Sequence, residues 1–435
     1  MPPPRKTASP GNAPNASTSA TMPGRARLAA FVGGGLASLS RAFGRGSGSV
    51  VGGHVILAIE PQALRVFSAG RHVVLVSGTN GKTTTTKLLA SALGAASGRE
   101  VVTNVTGANL PTGLASSLAA ARGRPSADAV LEVDEAWLAR VSAQARPAAL
   151  VLLNLSRDQL DRNNEVRHVA QRWRQACSEL PTGAAVVANA DDPLVAWAAS
   201  AAGNVTWVGA GLGWKNDATG CPSCAGPVNF DEGQDEAGRG GHWRCAQCGL
   251  ARPQLDVPSR DLQISLPGRC NQANALMALA TLLALGYSGE PVERASAALA
   301  TVCEVAGRYA VRGTVEGREI RMLLAKNPAG WAEVFDMLSP PPTPVVIAIN
   351  ARTADGHDPS WLWDVPFERL AGRRVVATGD RNLDLAVRLH YAGVDHDVEP
   401  DLVRAVEVKN ERADVVANYT AFHQLLARLP KRPET

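Results

Sequence analysis

The sequence lacks a hydrophobic run long enough to cross a bilayer. The apolar stretch near its start extends from Leu28 to Leu39, and a membrane-spanning helix needs roughly 20 residues. Arginines precede this stretch, as in the first part of a secretory signal. Its short length and the ordinary composition of the chain, 45% hydrophobic and 19% charged, favour a soluble protein of the cytoplasm.

Acidic side chains are absent from residues 1–59, and the first carboxylate is that of Glu60. The same segment carries the cations Arg5, Lys6, Arg25, Arg27, Arg41 and Arg45. Such a segment can contact an anionic membrane surface, and the alternative is a basic tail without a role. The net charge of the whole chain is only +4, which does not by itself indicate a nucleic-acid-binding protein.

The sequence has seven cysteines, and an odd number argues against the disulfide scaffold of a secreted protein. Three of them, Cys177, Cys270 and Cys303, are scattered along the chain. We expect buried, unreactive thiols at these three positions, since free cysteine packs as a small hydrophobic residue.

The other four cysteines form two Cys-x-x-Cys pairs separated by twenty residues. They are Cys221, Cys224, Cys245 and Cys248. Each pair offers two thiolates, so the spacing predicts a structural Zn²⁺ site. Four thiolates fill the tetrahedron and leave no position for a catalytic water, so the metal should stabilise the fold without reacting.

A chain of 435 residues should hold two or three domains, because one core rarely exceeds about 250 to 300 residues. Strand-like apolar runs alternate with helical stretches from residue 72 onward. The first runs are 73–76, 129–133, 150–155 and 184–188, and runs at 345–349 and 374–378 lie beyond a Pro-rich linker. The alternation predicts an α/β fold with a mostly parallel sheet, followed by a separate C-terminal α/β domain.

A glycine-rich turn lies between the first apolar run and a helix expected to begin near Thr83. Gly78 and Gly81 allow backbone N–H groups to approach phosphates, and Lys82 can reach the β- and γ-phosphates. Thr83 is placed to hold Mg²⁺. The strict Walker A spacing would require a glycine where this chain has Val76.

Gly-Thr-Asn-Gly-Lys-Thr-Thr, residues 78–84, resembles instead the phosphate loop of the Mur ligases and folylpolyglutamate synthetases. The similarity extends to Glu132 after the next strand, to the Gly-x-x-Asn-x-x-Asn element at 268–274 and to Gly307-Arg308. It implies an ATP-dependent ligase with a central P-loop ATPase domain, here with an inserted zinc ribbon, and a Rossmann-like C-terminal domain.

The resemblance also implies the site residues. Thr83 and Glu132 would hold Mg²⁺, and Lys82 would act in catalysis; the expected ATP-binding residues are Gly78, Thr79, Asn80, Gly81, Lys82, Thr83, Thr84, Asn271 and Arg308. Without the resemblance, Asp134 and Glu135 are as good candidates for the metal ligand as Glu132. Asn271, considered alone, would be interpreted as a helix cap.

The expected domains follow from the same comparison. They are a disordered tail at 1–24, a basic segment at 25–60, a central ATP-binding domain at 61–305 with the ribbon at about 215–257, and a C-terminal domain at 306–435.

The zinc ribbon and Lys-Asn-Pro-Ala-Gly at 326–330 narrow the resemblance to the MurT branch of the family, the ligase-like subunits of lipid II isoglutaminyl synthases. Three further segments are similar, at 157–162, 189–193 and 418–420. The resemblance implies that ATP phosphorylates the α-carboxylate of D-glutamate in the lipid II stem peptide. Ammonia from a glutaminase subunit, GatD, then converts it to D-isoglutamine.

Residues 355–364, Asp-Gly-His-Asp-Pro-Ser-Trp-Leu-Trp-Asp, follow a predicted strand and should lie at the carboxyl edge of the C-terminal sheet, where α/β domains build sites. By the resemblance, an aspartate of this loop orients the histidine of the partner glutaminase. We choose Asp358, with Asp355 as the alternative. The other interpretation is that Trp361 and Trp363 cover the core and the aspartates cap a helix.

Two other functions compete with this one. The first is a Mur or folate-type ligase that adds an amino acid in place of ammonia, which the ribbon and the 326–330 segment disfavour. The second is a zinc-ribbon nucleic-acid-binding module. Carboxylates between the two cysteine pairs would repel phosphates there; they are Asp231, Glu232, Asp235 and Glu236.

Overall fold

The computed structural model describes residues 22–42, 48–104, 108–124, 127–157, 166–231, 241–305, 307–313, 319–407 and 413–430. These residues form two six-stranded sheets covered by helices, and one two-stranded hairpin. Residues 1–21 of the expected tail and residues 158–162 of the expected Mur-type segment lie outside the described residues.

Three helices precede the first sheet: α1 (Gly24–Ala42), α2 (Ser49–Ile59) and α3 (Ala63–Ser68). The first two pack through glycines, since a Cβ at Gly33 would stand 2.4 Å from Cγ1 of Ile56 and one at Gly52 would stand 2.6 Å from the oxygen of Gly33. Leu28 to Leu39 thus belong to a helix. Among the described residues, no helix has the length and apolar character needed to span a membrane.

The central sheet has the strand order β2-β3-β1-β4-β5-β6. Its strands are all parallel: β1 (Val73–Ser77), β2 (Val101–Val102), β3 (Asp128–Glu132), β4 (Ala149–Leu152), β5 (Ala185–Asn189) and β6 (Val205–Val208). Val76 pairs with Glu132, and Ser77 pairs with Leu152. The carboxyl ends of β1, β3 and β4 therefore meet at one edge.

Helices cover both faces of this sheet, as the alternation in the sequence predicts. Val73 and Leu75 of β1 face one core and Val74 and Val76 face the other, because successive side chains of a strand point to opposite faces. The first core is closed by α3 with α5 (Pro111–Ala120), α6 (Leu138–Ala145), α7 (Val166–Ser178) and α8 (Pro193–Ala199). The second is closed by α4 (Lys82–Ser97), α9 (Arg269–Ala284) and α10 (Glu290–Ala300).

A hairpin of β7 (Val228–Phe230) and β8 (Trp243–Cys245) lies between β6 and α9 in the chain. It is fixed to the central domain just beyond β5. The indole Nε1 of Trp243 donates to the carbonyl oxygen of Ala190 at 2.9 Å, and Arg252 forms a buried ion pair with Asp191 at 2.6 Å. Because Ala190 and Asp191 directly follow β5, the insertion lies beside the carboxyl edge of the central sheet. In the chain, the two cysteine pairs stand at the two ends of this hairpin.

The C-terminal sheet has the order β13-β12-β11-β14-β10-β9. Its strands are β9 (Tyr309–Gly313), β10 (Glu319–Leu324), β11 (Val345–Ala348), β12 (Val375–Thr378), β13 (His396–Val398) and β14 (Ala413–Ala417). Only the β9–β10 pair is antiparallel. The helices are α11 (Pro328–Phe335), α12 (Asn382–Tyr391), α13 (Leu402–Glu407) and α14 (Tyr419–Arg428), and 3₁₀ turns span Ser360–Asp364 and Phe367–Leu370. A further 3₁₀ turn, Asn216–Ala218, precedes β7 in the central domain.

The predicted strands correspond to observed strands, with differences at their ends. The run predicted at 150–155 leaves the sheet after Leu152, because the next residues turn to bind the phosphate loop. The predicted strand at 345–349 ends at Ala348. The expectation of three buried thiols is wrong for Cys303, which is exposed, whereas Cys177 is buried and Cys270 partly buried.

Candidate active site

The phosphate loop runs from the end of β1 to the start of α4, and close packing explains its glycines. A Cβ at Gly78 would stand 2.8 Å from Cβ of Leu153. Gly81 has a φ of 87°, and a Cβ there would stand 2.6 Å from Oδ1 of Asn274. Larger residues would displace these neighbours. With glycine at both positions, the loop can place the backbone N–H groups at the N-terminus of α4 where an anion can reach them.

Side-chain hydrogen bonds hold the loop against the segment after β4. The hydroxyl of Thr79 donates to the carbonyl oxygen of Ser156 and accepts from its N–H, both at 3.0 Å. The N–H of Asn80 donates to Oδ1 of Asn154 at 2.9 Å, and Nδ2 of Asn154 donates to the carbonyl oxygen of Asn80 at 3.1 Å. The loop is therefore ordered by the chain itself.

Lys82 is buried, and its ammonium group lies over the loop. It donates to the carbonyl oxygen of Gly78 at 2.5 Å and pairs with a carboxylate oxygen of Glu135 at 2.9 Å. A buried ammonium needs such partners to offset its lost hydration. A phosphate bound in the loop would add anionic oxygens beside the same ammonium.

The three acidic residues after β3, which the bare sequence could not rank, have three different partners. Glu132 accepts from the hydroxyl of Thr83 at 2.7 Å. Glu135 pairs with Lys82, and Oδ1 of Asp134 accepts from the N–H of Ala136 at 3.0 Å within a turn. The structure thus brings Glu132, and neither of the others, beside Thr83.

The Thr83–Glu132 pair fits a magnesium ion in its donor set. A hydroxyl and a carboxylate are oxygen ligands, which Mg²⁺ prefers. Glu132 is buried, and the side chain of Asn104 bonds to both of its backbone groups. The N–H of Glu132 donates to Oδ1 of Asn104 at 2.9 Å, and Nδ2 of Asn104 donates to the carbonyl oxygen of Glu132 at 2.8 Å. Nδ2 of Asn109 donates to the second carboxylate oxygen at 3.3 Å. This carboxylate is held in place at the end of the phosphate loop.

A cavity of about 440 Å³ opens beside the loop, between the two sheets and the hairpin. The loop contributes Asn80, Gly81 and Thr84, and α9 contributes Asn271 and Asn274. Oδ1 of Asn274 accepts from the hydroxyl of Thr85 at 3.1 Å, which ties α9 to α4. Nδ2 of Asn271 donates to the carbonyl oxygen of Pro267 at 2.6 Å.

The C-terminal domain forms the opposite wall of this cavity, with Arg308, Gly330 and Glu333 among its lining residues. Arg308 lies near His423. Burial, together with the positive charge of Arg308, lowers the pKa of His423. Burial raises the pKa of Glu333 to about 7, and the charge of Asp336 acts in the same direction. A titratable acid therefore borders the cavity.

Asn327 is a site residue to which the sequence assigned no role. It is buried and caps α11, since its Oδ1 accepts from the N–H of Gly330 at 2.7 Å. Its amide also faces that of Asn80 in the phosphate loop, with both N-to-O distances at 3.4 Å. The Lys-Asn-Pro-Ala-Gly segment marked this position in the sequence, but only the fold shows that it meets the phosphate loop.

The four cysteine sulfurs lie within 4.8 Å of one another, which suits a tetrahedral zinc site. Cys221 is 3.6 Å from Cys248, and Cys224 is 3.5 Å from Cys245. The N–H groups of Cys248 and Gln247 donate to the sulfur of Cys245 and lower its pKa to about 6. These two hydrogen bonds favour the thiolate form of Cys245, the form in which cysteine binds a metal.

The two candidate aspartates of the 355–364 loop have different surroundings. Asp355 is buried and accepts from the N–H of Thr420 at 2.8 Å and from its hydroxyl, which fixes the loop to the start of α14. Asp358 is exposed, and the N–H of Ser360 donates to it at 2.8 Å and lowers its pKa. Trp361 is buried, whereas Trp363 is 55% exposed.

Comparison with known proteins places these features in a family. A model of the Mur ligase middle domain matches residues 76–223, and a model of the MurT ligase C-terminal domain matches residues 324–422. The chain is 29% identical to the lipid II isoglutaminyl synthase (glutamine-hydrolyzing) subunit MurT of Streptococcus pneumoniae, over 88% of this chain and 93% of that protein. For the MurT subunit of Staphylococcus aureus the identity is also 29%, over 90% and 94% of the two chains.

The chain belongs to the Mur ligase family. Its C-terminal match and its near full-length similarity are to the MurT type, so it is an ATP-dependent ligase of that type. Mur ligases use ATP and Mg²⁺, and the phosphate loop with the Thr83–Glu132 pair fits both.

Solved structures agree with this fold. MurF of Acinetobacter baumannii superposes with a TM-score of 0.61 at 16% identity, over 86% of this chain and 79% of that one. The folylpolyglutamate synthase of Mycobacterium tuberculosis gives 0.57 at 15% identity, over 86% and 92%. At such identities the likeness concerns the Mur ligase architecture alone.

Proposed function

We propose that this Mur ligase amidates the α-carboxylate of D-glutamate in the lipid II stem peptide, at the inner face of the membrane. The observation that carries the proposal is the similarity over about nine tenths of the chain to two MurT subunits whose names state that activity. The Cys₄ hairpin and the Asn327 segment at the phosphate loop support it, since these are the features through which the sequence resembles the MurT branch.

The site residues suit phosphoryl transfer followed by attack on an acyl phosphate. Lys82 and the N–H groups of α4 stabilise the γ-phosphoryl group while a carboxylate oxygen of the substrate attacks its phosphorus and ADP leaves. Thr83 and Glu132 would hold Mg²⁺, which when bound would neutralise part of the charge of the phosphates. Ammonia then forms the C–N bond at the acyl carbon, inorganic phosphate leaves, and one proton is lost from nitrogen.

ATP contacts are assigned to the residues that surround the cavity and the loop. The backbone from Gly78 to Thr84 cradles the phosphates, with Asn271 and Arg308 on the cavity walls. Zn²⁺ is assigned to the four cysteines, which would hold it as a structural ion that stabilises the hairpin. As this hairpin is fixed to the central domain by Trp243, ordering it also orders one side of the cavity.

Ammonia is assigned to a glutaminase partner of the GatD type, because the MurT relatives are named as subunits of glutamine-hydrolyzing synthases. Asp358 is the residue proposed to orient the partner's histidine, since it is exposed and kept ionised, whereas Asp355 is occupied by Thr420. An exposed apolar patch lies close to it. Trp363 packs against Tyr391 of α12 in a tilted arrangement with ring centroids 5.6 Å apart, and α12 also exposes Leu383 and Val387. Aromatic patches of this kind anchor protein partners.

The decisive experiment combines the purified chain with ATP, Mg²⁺, lipid II and ammonium chloride, followed by mass spectrometry of the product. The amidated product should be one mass unit lighter, since NH₂ replaces OH, and ADP should form in equal amount. Replacing ammonium by amino acids is the control. Addition of an amino acid residue without amidation would assign the chain to the amino-acid-adding ligases instead.

A further inference from the structure

Helix α1 packs with its small residues inward and its large apolar residues outward. The residues buried against α2 and the domain are Ala26, Ala29, Ala30, Gly33 and Ala37. On the opposite side, Leu28 is 54%, Phe31 74% and Leu39 55% exposed, and Leu36 is 37% exposed. We call these four residues the apolar face of α1.

This arrangement is the reverse of that in a helix on the surface of a soluble domain, where the large apolar residues form the buried stripe. At 100° per residue, the four side chains fall within a sector of about 140°. Arg27 borders one side of this sector, and Arg25 lies within it near the start of the helix; both are exposed. Residues 1–59 contain no carboxylate, so the charged side chains of α1 itself are all cationic.

We propose that the apolar face of α1 binds an anionic lipid bilayer, with the helix lying in the plane of the membrane. Apolar side chains would enter the region between headgroups and acyl chains, and the flanking arginines would contact lipid phosphates. A lipid surface fits both halves of the observation, the apolar stripe and the cationic charge of the helix that carries it. A partner protein would explain the stripe without explaining why α1 carries arginines and no acidic residue.

The position of α1 connects this surface to the active site. α2, which packs on α1, approaches α5 so closely that a Cβ at Gly53 would collide with the carbonyl of Thr112. α5 begins just after Asn109, whose amide donates to Glu132. Through α2 and α5, the membrane-binding helix α1 is therefore connected to the catalytic edge. In this respect the inference deepens the proposed function, because a lipid-linked acceptor would be reached from the bilayer.

The test is co-sedimentation of the full chain with vesicles, without ATP or acceptor. Vesicles of phosphatidylcholine alone are compared with vesicles containing phosphatidylglycerol. Wild-type protein should bind the anionic vesicles, and the variant with Leu28→Ser, Phe31→Ser and Leu39→Ser should bind at least about tenfold more weakly. Arg27→Glu, a milder change on the exposed side, should weaken binding about fivefold and show salt dependence.

A matched control removes other exposed apolar side chains, with Leu383→Ser, Val387→Ser and Tyr391→Ser on α12; it should bind as wild type does. Thermal melts check that each variant is folded. The proposal is overturned if wild type ignores both vesicle types, if the α1 variant binds equally well, or if wild type is a dimer that the α1 changes dissociate. A chain that binds vesicles but does not amidate lipid II would contradict only the proposed function, and amidation in detergent without vesicle binding would contradict only this inference.

Discussion

The phosphate loop and the 355–364 loop both follow a buried parallel strand, yet they are completed in different ways. The first is closed by groups of its own chain, with Lys82 buried against Glu135 and Thr79 and Asn80 bonded to the next segment. The second is anchored by Asp355 but leaves Asp358 and Trp363 exposed. The first loop has satisfied buried polar groups, whereas the second presents an ordered carboxylate to solvent, as the proposed sharing of this site with a partner requires.

Replacing Lys82 should have the largest effect, because the phosphate site is complete without a partner. Lys82→Ala should lower amidation by about 10⁴-fold with either glutamine plus partner or ammonium as nitrogen source, since it removes a cation from the transferred phosphoryl group. ADP release measures this loss. Lys87→Ala is the matched control, because Lys87 is exposed on the same helix; equal losses in both variants would mean that the loop is misassigned.

Asp358→Asn should separate the two sites. Glutamine-dependent amidation with the partner subunit should fall by about 10²- to 10³-fold, because asparagine cannot stabilise a charged imidazole. Ammonium-dependent amidation should remain near wild type. Asp355→Asn serves as the comparison, and it should lower the melting temperature because it weakens the bonds to Thr420. If Asp358→Asn reduces both routes alike, this residue belongs to the ligase site.

Loss of the cysteine cluster should affect stability more than chemistry. Metal analysis of wild type should find about one Zn²⁺ per chain, as four thiolates form one tetrahedral site. Cys221→Ser should release the metal and lower the melting temperature by about 5 °C or more. Binding of ADP should persist at a temperature where the variant is folded. Cys303→Ser, an exposed thiol outside the cluster, is the control, and metal-free wild type would contradict the assignment.

The smallest effect concerns pH. Burial raises the pKa of Glu333 from 4.5 to about 7, so the folded state holds its proton more tightly than the unfolded state does. This group's contribution to stability is full below about pH 4.5 and is lost as the pH rises to about 7. The melting temperature of Glu333→Gln, relative to wild type, should therefore increase by a few degrees between pH 5 and pH 8. Glu290→Gln, at an exposed pair on α10, should show no such trend.

Local patterns explain how much of this structure the sequence could predict. The strand, phosphate loop and helix from Val73 to Ser97 are contiguous, and so are the paired cysteines, so their geometry follows from spacing. The exposure of Leu28 and Phe31 does not follow from spacing. In the sequence, α1 looks like an ordinary apolar stretch, and only the structure shows that its buried side consists of alanine and glycine.

Long-range contacts explain the rest. Glu132 and Glu135 are three residues apart, and only the register of β1 and β3 decides which of them meets Thr83. The contact between Asn80 and Asn327 joins residues 247 positions apart. No period or spacing in the sequence can reveal such a pair, and the domain interface forms it.

That pair of amides has a consequence for motion. Each amide offers the other one donor and one acceptor, at 3.4 Å in both directions, and neither carries a charge. A neutral hydrogen bond contributes only about 0.5–1.5 kcal/mol, since water replaces it when it breaks. Breaking this contact therefore leaves no unpaired ion, whereas breaking the Arg269–Asp336 pair, which also joins α9 to the C-terminal domain, would separate two opposite charges.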